Sequence, residues 1–309
     1  FKNIISLIIS IFTGKNIASN DKLKKQIQTF QPDIAYVHNT WFTGSTGIFK
    51  ILKKENIKTL IKIHNFRFYC TKNILNTKHF IGSKFCRGCG TQFNKYKIFN
   101  IYFKDSIMKS LMMFFYSRRY LKILRDNFYT IIPITKFQIP FLIDVGVNKD
   151  NIKLNYNIVN NVPDLTKNPQ ENFLLYAGRI SEEKGVEELI ESFLSLPLNN
   201  FNLKIIGDGP NLSKLMNLYK SDRIIFTGSL SNYETLAEIS QSQGVVLNTK
   251  LFEGQPTLLC EASLMAKPSI FPDTGGLKEF FPENYQFIFT QGNYEELKHR
   301  MLDLINNTY

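Results

Sequence analysis

Between Phe173 and Phe271 the chain alternates short apolar runs with amphipathic stretches of about ten residues. This alternation constrains the fold more than any other feature. The runs Phe173–Ala177, Leu203–Ile206, Ile224–Phe226, Val245–Asn248 and Pro268–Phe271 read as strands. Glu187–Leu196, 211–219, Ser231–Ser240 and 257–266 read as helices. Ser231 followed three residues later by Glu234 is a capping box that opens one of them. Strands that alternate with helices of this length build a parallel sheet wound by helices, because parallel neighbours need a crossover. The expected fold class is therefore α/β.

The first half carries the same pattern less cleanly. Asp33–His38 behind Pro32, Thr59–His64, Tyr129–Pro133 and Ile152–Leu154 read as strands. Helical stretches fall at 4–12, 20–30, 45–55, 96–127 and 136–145, and the polar, glycine-containing segment 65–92 reads as loop. Residues 163–171 are polar, hold two prolines and have no periodicity, so they read as a linker between domains at 1–162 and 172–309. Charge divides the same way. Residues 1–162 hold 26 Lys and Arg against 7 Asp and Glu, whereas 163–309 hold 12 against 19. Such asymmetry points to two domains with different partners. No run approaches the ~18 apolar residues that span a bilayer. The apolar stretch Ile4–Phe12 lacks an A-x-A cleavage site, and with Phe1 rather than Met in front it reads as an internal helix of a chain that has lost its start.

Chemistry-bearing residues gather where strands end, the place where parallel sheets bind ligands. Tyr176–Gly185 runs from a strand into Gly178 and Arg179, with Lys184 and Gly185 before a helix. Glycine admits a phosphate close to the backbone, and Arg and Lys neutralise one. A charged loop before a helix-starting glycine is the plainer reading. Gly207-Asp-Gly209-Pro follows a further strand, where simple chain reversal is the stronger reading, and Gly228 follows another and means little by itself. Phe252–Ala262 is more distinctive. Glu253 lies in a Gly/Pro loop beside Gly254, Gln255 and Pro256, Thr257 starts a helix whose amide end favours anions, and Glu261 lies on that helix. A pair of solvated carboxylates is the competing reading, weakened by the apolar residues around Glu261.

Taken in order, YAGRI-SEEKG, IIGDGP, FTG, FEGQPTLLCEA and KPSIFPDTGGLKEF over 171–285 resemble family 4 retaining glycosyltransferases. The resemblance implies the GT-B architecture, two Rossmann-like domains facing across a cleft, and metal-independent transfer of a sugar from a nucleotide-sugar donor, UDP- or GDP-linked. It implies that Arg179 and Lys184 bind the diphosphate, that Glu253 contacts the donor sugar and Glu261 the ribose, and that Gly254 and Gln255 offer backbone amides. Gly178, Gly207, Gly209, Gly228, Pro256 and Thr257 complete the implied donor site. The first half resembles the family's acceptor domain more loosely. Asp33–His38, Ile63-His64-Asn65, Pro133–Lys136 and Asn157-Ile-Val-Asn160 match its pattern, with Asn160 in place of the usual Asp. His64 would then serve catalysis beside Glu253, Arg179 and Lys184. A hydrogen-bonded core histidine is its plainer reading.

The family's opening strand and glycine-rich loop have no counterpart here, so the N-terminal domain reads as truncated by about 60–80 residues. With no nucleophile standing out in the donor half, the implied mechanism is front-face attack, with charge on the leaving diphosphate stabilised electrostatically. No Asp-x-Asp occurs, and no visible motif requires a metal or cofactor. Cys70, Cys86 and Cys89, near His64 and His79, read as structural or redox thiols ahead of a zinc site. The basic, aromatic stretch 95–125 suits an anionic membrane surface or a lipid-diphosphate acceptor as well as it suits a solvated helix with its aromatics inward. Nucleic acid is not expected, for want of a binding motif. The expected protein is a cytoplasmic enzyme, peripheral at the inner face of the membrane, that acts on a glycan or lipid-linked acceptor in surface polysaccharide or glycolipid synthesis. The alternative is a catalytically impaired sugar-nucleotide binder or basic membrane-associated adaptor.

Overall fold

The computed structural model describes residues 13–40, 45–70, 107–159, 171–198 and 200–306. The chain forms two compact units, Phe1–Tyr156 and Asn157–Tyr309. The expected linker 163–171, the apolar stretch 4–12, Cys86, Cys89, His79, the aromatics of 96–103 and Asn160 lie outside the described residues, apart from Glu171 at the linker's end.

In the first unit, β1 (Ile34–Val37), β2 (Lys58–Ile63) and β3 (Tyr129–Pro133) form a parallel sheet in sequential order. Helices α1 (Ile17–Phe30), α2 (Gly47–Lys54), α3 (Ile107–Leu124) and α4 (Gln138–Asp144) accompany it. Strands β2 and β3 are largely buried on both faces, as their apolar runs require. Edge strand β1 leaves Ile34 and Tyr36 exposed. The expected strand at Ile152–Leu154 is only a single bridge, Ile152 to Ile131, with Lys153 N–H donating to Ile131 O at 2.9 Å and Asn155 N–H to Pro133 O at 3.1 Å.

Helix α3 has one buried face and leaves an aromatic on the surface. Ser110, Met113, Ser117, Leu121 and Leu124 recur at three- and four-residue steps and are buried. Tyr116 turns inward, its hydroxyl 3.2 Å from that of Thr40. Phe115 stays on the surface beneath Arg119, and Arg118 lies over Phe114. Among the described residues no helix is long and apolar enough to cross a membrane.

The second unit is a six-stranded parallel sheet. Its strands are β4 (Phe173–Ala177), β5 (Asn202–Ile206), β6 (Ile224–Gly228), β7 (Gly244–Val246), β8 (Ser269–Pro272) and β9 (Ile288–Phe289), in the order β6-β5-β4-β7-β8-β9. The chain enters at the centre, builds outward through β5 and β6, then returns to lay β7 on the other side of β4. The crossovers that follow β4 and β7 therefore diverge, and this reversal opens a crevice beyond their carboxyl ends. The helices are α5 (Val186–Leu194), α6 (Leu212–Leu218), α7 (Asn232–Gln241), α8 (Thr257–Leu264) and α9 (Tyr294–Asn306). The capping box of Ser231 and Glu234 is formed at the start of α7. The sequence reading did not anticipate β9 or α9. Two residues are too short a run to read as a strand, but Leu297, Met301 and Leu304, buried at four- and three-residue steps behind an Asn293 that caps Glu296, are a legible helix signal.

Beyond the strand ends the backbone is laced together. Gly178 N–H donates to Ile206 O at 3.0 Å, Gly207 N–H to Gly228 O at 2.8 Å, and Ile180 N–H to Asp208 O at 2.9 Å. A Cβ on Gly207 would lie 1.9 Å from Gly178 O, at a φ of +136° that side chains avoid, whereas one on Gly228 meets nothing within 4 Å. Gly207→Ala is expected to lower unfolding free energy by ~2–4 kcal/mol, because backbone must move as well as strain. Gly228→Ala should cost only ~1–2 kcal/mol, the left-handed penalty alone. Urea titrations of the two variants test this difference.

Candidate active site

Strand β4 ends at Ala177, and the chain continues through exposed Gly178 and Arg179 into the turn that carries Lys184. Two bonds shape this loop. Tyr176 Oη donates to Arg179 O at 2.9 Å, and Ile180 N–H reaches across to the loop after β5. Gly185, at φ +64°, serves as C-cap of the short turn Glu182–Lys184 and as N-cap of α5. A Cβ there would lie 2.1 Å from Asn248 O, so glycine is required by space as well as by conformation.

The loop after β7 is tied to this one and to α5 at three points. Buried Asn248 donates Nδ2–H to Gly185 O at 2.7 Å, Lys250 N–H donates to Glu183 O at 2.9 Å, and Lys250 Nζ bonds Glu188 at 2.5 Å. The fourth tie is chemical. Lys184 Nζ forms a short ion pair with Glu253 Oε1, and both side chains are mostly buried. Thr249 Oγ1 donates to the same oxygen at 2.8 Å, and Gly276 N–H donates to Glu253 O at 2.9 Å. A Cβ on Gly275 would lie 2.2 Å from that carbonyl. Glu253 is thus held at its side chain by residues after β4 and β7, and at its backbone by the loop after β8.

Gln255 plays a part that its sequence position did not suggest. Its side chain clamps one backbone residue, accepting from Asn157 N–H at 2.6 Å and donating to Asn157 O at 3.0 Å. Pro256 is the N-cap of α8 and supplies no side-chain bond, and Thr257 begins the helix with its side chain exposed. Buried Gly254 precedes them. One turn on, Glu261 is half-buried, and burial pushes its carboxyl up despite a hydrogen bond from Asn232. No ion pair involves Glu261 among the described residues. Cys260 beside it is also raised by burial.

In the first unit, His38 follows β1 and His64 follows β2. Their rings stack with centroids 5.0 Å apart, and His38 Nδ1 lies 2.8 Å from His64 Nε2. One nitrogen must be a donor and the other an acceptor, so protonating both rings would break the bond. Buried Lys62 donates to Asn155 O at 2.9 Å and Tyr156 O at 3.2 Å, just below the pair. Burial first, then the His38 and Lys62 charges, hold the His64 imidazole below its ordinary value. Buried Cys70 lies in the following turn.

The sequence model of a family described as "Glycosyl transferases group 1" matches residues 158–308, essentially the whole of the second unit. The second unit is a glycosyl transferases group 1 domain. Its chain is 24% identical over 219 residues to the uncharacterized glycosyltransferase MJ1069 of Methanocaldococcus jannaschii, covering 66% of this chain and 56% of that protein. It is 31% identical over 114 residues to the putative teichuronic acid biosynthesis glycosyltransferase TuaC of Bacillus subtilis, covering 37% and 28%. The chain thus spans about half or less of the length of these curated relatives. Among solved structures, Anabaena Alr3699/HepE in complex with UDP superposes with a TM-score of 0.64 at 16% identity, over 92% of this chain and 72% of that one. That likeness shows the fold, GT-B.

Within the group 1 domain the structure joins Lys184 to Glu253 directly, places Arg179 on the loop of the first and Glu261 on the helix that follows the second, and sets Gly178, Gly207 and Gly228 at adjoining strand ends. Gly209 packs its backbone on Ile180, where a Cβ would lie 2.2 Å from Ile180 O. The sequence reading missed Thr249, Asn248 and Gly275 as supports of Glu253 and Lys184. Thr249 and Asn248 carried a signal, being polar residues directly after a buried strand.

The depressed His64 value has a sign. The unfolded chain binds a proton near pH 6.5 that the folded first unit resists, so stability is intact above that pH and is lost as pH falls below it. Imidazole NMR should show His64 titrating below 6.5, and His64→Gln should flatten the loss of melting temperature between pH 7 and 5. An unchanged slope in the variant would show that other groups set the acid limit.

Proposed function

We propose that this chain is part of a retaining, metal-independent glycosyltransferase that moves a sugar from a UDP- or GDP-sugar to a glycan or lipid-linked acceptor in surface polysaccharide or glycolipid assembly. The observation that carries the reading is the contact of Lys184 with Glu253. A cation from the loop after β4 and a carboxylate from the loop after β7 meet beyond the point where the sheet reverses. A sugar diphosphate needs positive charge for its phosphates and, beside it, an acceptor of hydroxyl hydrogen bonds for its sugar.

In this reading Arg179 and Lys184 take the diphosphate, and the charge that grows on the leaving phosphate is stabilised by groups already in place. The start of α8, capped by no side chain, directs amide dipoles into the same loop region. Glu253, freed from part of its pairing when the phosphate engages Lys184, accepts hydrogen bonds from the sugar. Glu261, half-buried without a cation, is suited to ribose hydroxyls, which bring it donors without bringing charge. His64 is assigned to the acceptor side of the reaction. Polysaccharide assembly agrees with the teichuronic acid relative.

The test is donor turnover with UDP- and GDP-sugars. Glu253→Gln should lower turnover by roughly 10²–10³-fold while the nucleoside diphosphate still raises the melting temperature, because the variant keeps Arg179 and Lys184. Lys184→Ala should weaken that thermal shift. Product NMR should show the donor's anomeric configuration retained. Donor turnover that survives Glu253→Gln sinks the assignment.

A further inference from the structure

Three separate segments of the first unit bring cations to one groove. Lys50, Lys53 and Lys54 lie on α2 at steps of three and four residues, Arg119 and Lys122 lie on α3 three apart, and Lys15 stands just before α1. The groove encloses about 510 Å³ and ends against Tyr129 at the start of β3. Strand β3 begins there, whereas His64 follows the exit of β2, so the groove is separate from the histidine pair. Its only carboxylate among the described residues, Asp126, is taken by Lys53 at 2.5 Å, and Lys53 with Phe128 N–H holds that carboxyl below the usual range.

The helix dipole accounts for Lys53 and Lys54, which lie in the last turn of α2. It accounts likewise for Lys122, in the last turn of α3, but not for Lys15, Lys50 or Arg119. Among the described residues no carboxylate pairs with Lys15, Lys50, Lys54 or Lys122. The Lys15 wall is fixed in place. Gly14, at φ +71°, packs so closely that a Cβ would lie 2.5 Å from Thr46 Oγ1 and 3.0 Å from Arg119 Cδ. Asn16 N–H also donates to Ser45 Oγ at 3.2 Å. Like charges gathered in a concavity repel one another, and an anion relieves the repulsion.

We propose that the groove between α2 and α3 binds clustered phosphates, as a diphosphate or a phosphate-bearing headgroup, at a site of its own apart from the donor loops. The separation is testable with inorganic pyrophosphate and the full chain, by calorimetry at low salt. Lys50→Gln with Lys122→Gln should weaken one class of pyrophosphate site by about tenfold or more, with affinity falling as salt rises. Lys22→Gln with Lys24→Gln on α1 should leave that class unchanged, and Arg179→Gln should affect only the other class. Vesicles of phosphatidylcholine with and without phosphatidylglycerol identify the source. Capture by the anionic vesicles that pyrophosphate displaces and the groove variant loses assigns a lipid headgroup, and pyrophosphate binding without capture assigns a free phosphate compound. The proposal is overturned if the groove variant binds pyrophosphate as the parent does, or if the α1 variant loses as much.

Discussion

The reversal of strand order between β4 and β7 is the constraint on which the second unit depends. A parallel sheet that grew in one direction would send both crossovers the same way, and the loops after β4 and β7 would not flank a gap. Because the chain starts at β4, builds out to β6 and returns, the two loops diverge and are then tied across the gap by backbone and side-chain bonds. The Lys184–Glu253 pair is the charged one among these ties. Its partners stand 69 residues apart, and neither loop alone defines its position.

A pair so placed is of use only on a rigid mount. The strand ends are cross-bonded through Gly178, Gly207 and Ile180, and the loops through Asn248, Lys250 and Gly276. Several of these approaches are closer than any Cβ permits, so glycine sets the geometry by what it lacks. Glu253 is fixed at both ends, its carboxylate by Lys184 and Thr249 and its carbonyl by Gly276. A charged group preorganised in this way stabilises charge elsewhere without reorganising as charge develops.

The first unit handles charge differently. Its histidines meet ring to ring at two strand exits, a hydrogen-bonded pair that protonation of both rings would break. Its outer helices gather cations that find few carboxylates to answer them. The two units thus carry opposite electrostatic problems: a compensated pair in one, an excess of positive charge in the other. This is the physical content of the charge asymmetry along the chain.

The alternation of strands and helices was legible in the sequence because buried parallel strands must be apolar throughout and their helices must be amphipathic. Gly178, Arg179, Lys184 and Glu253 were legible as candidates because they fall where parallel strands end, and Glu261 because a carboxylate stands among apolar helix residues. Three things were decided only by tertiary structure. Strand order arises from contacts between distant segments, and it determined that Lys184 meets Glu253. The supports at Thr249, Asn248 and Gly275 depend on which loops lie within a few ångströms, which periodicity does not encode. Gln255 grips the backbone of Asn157 rather than standing as a local loop residue, because hydrogen bonds over long sequence separations are set by the folded path of the chain and not by the residue's neighbours.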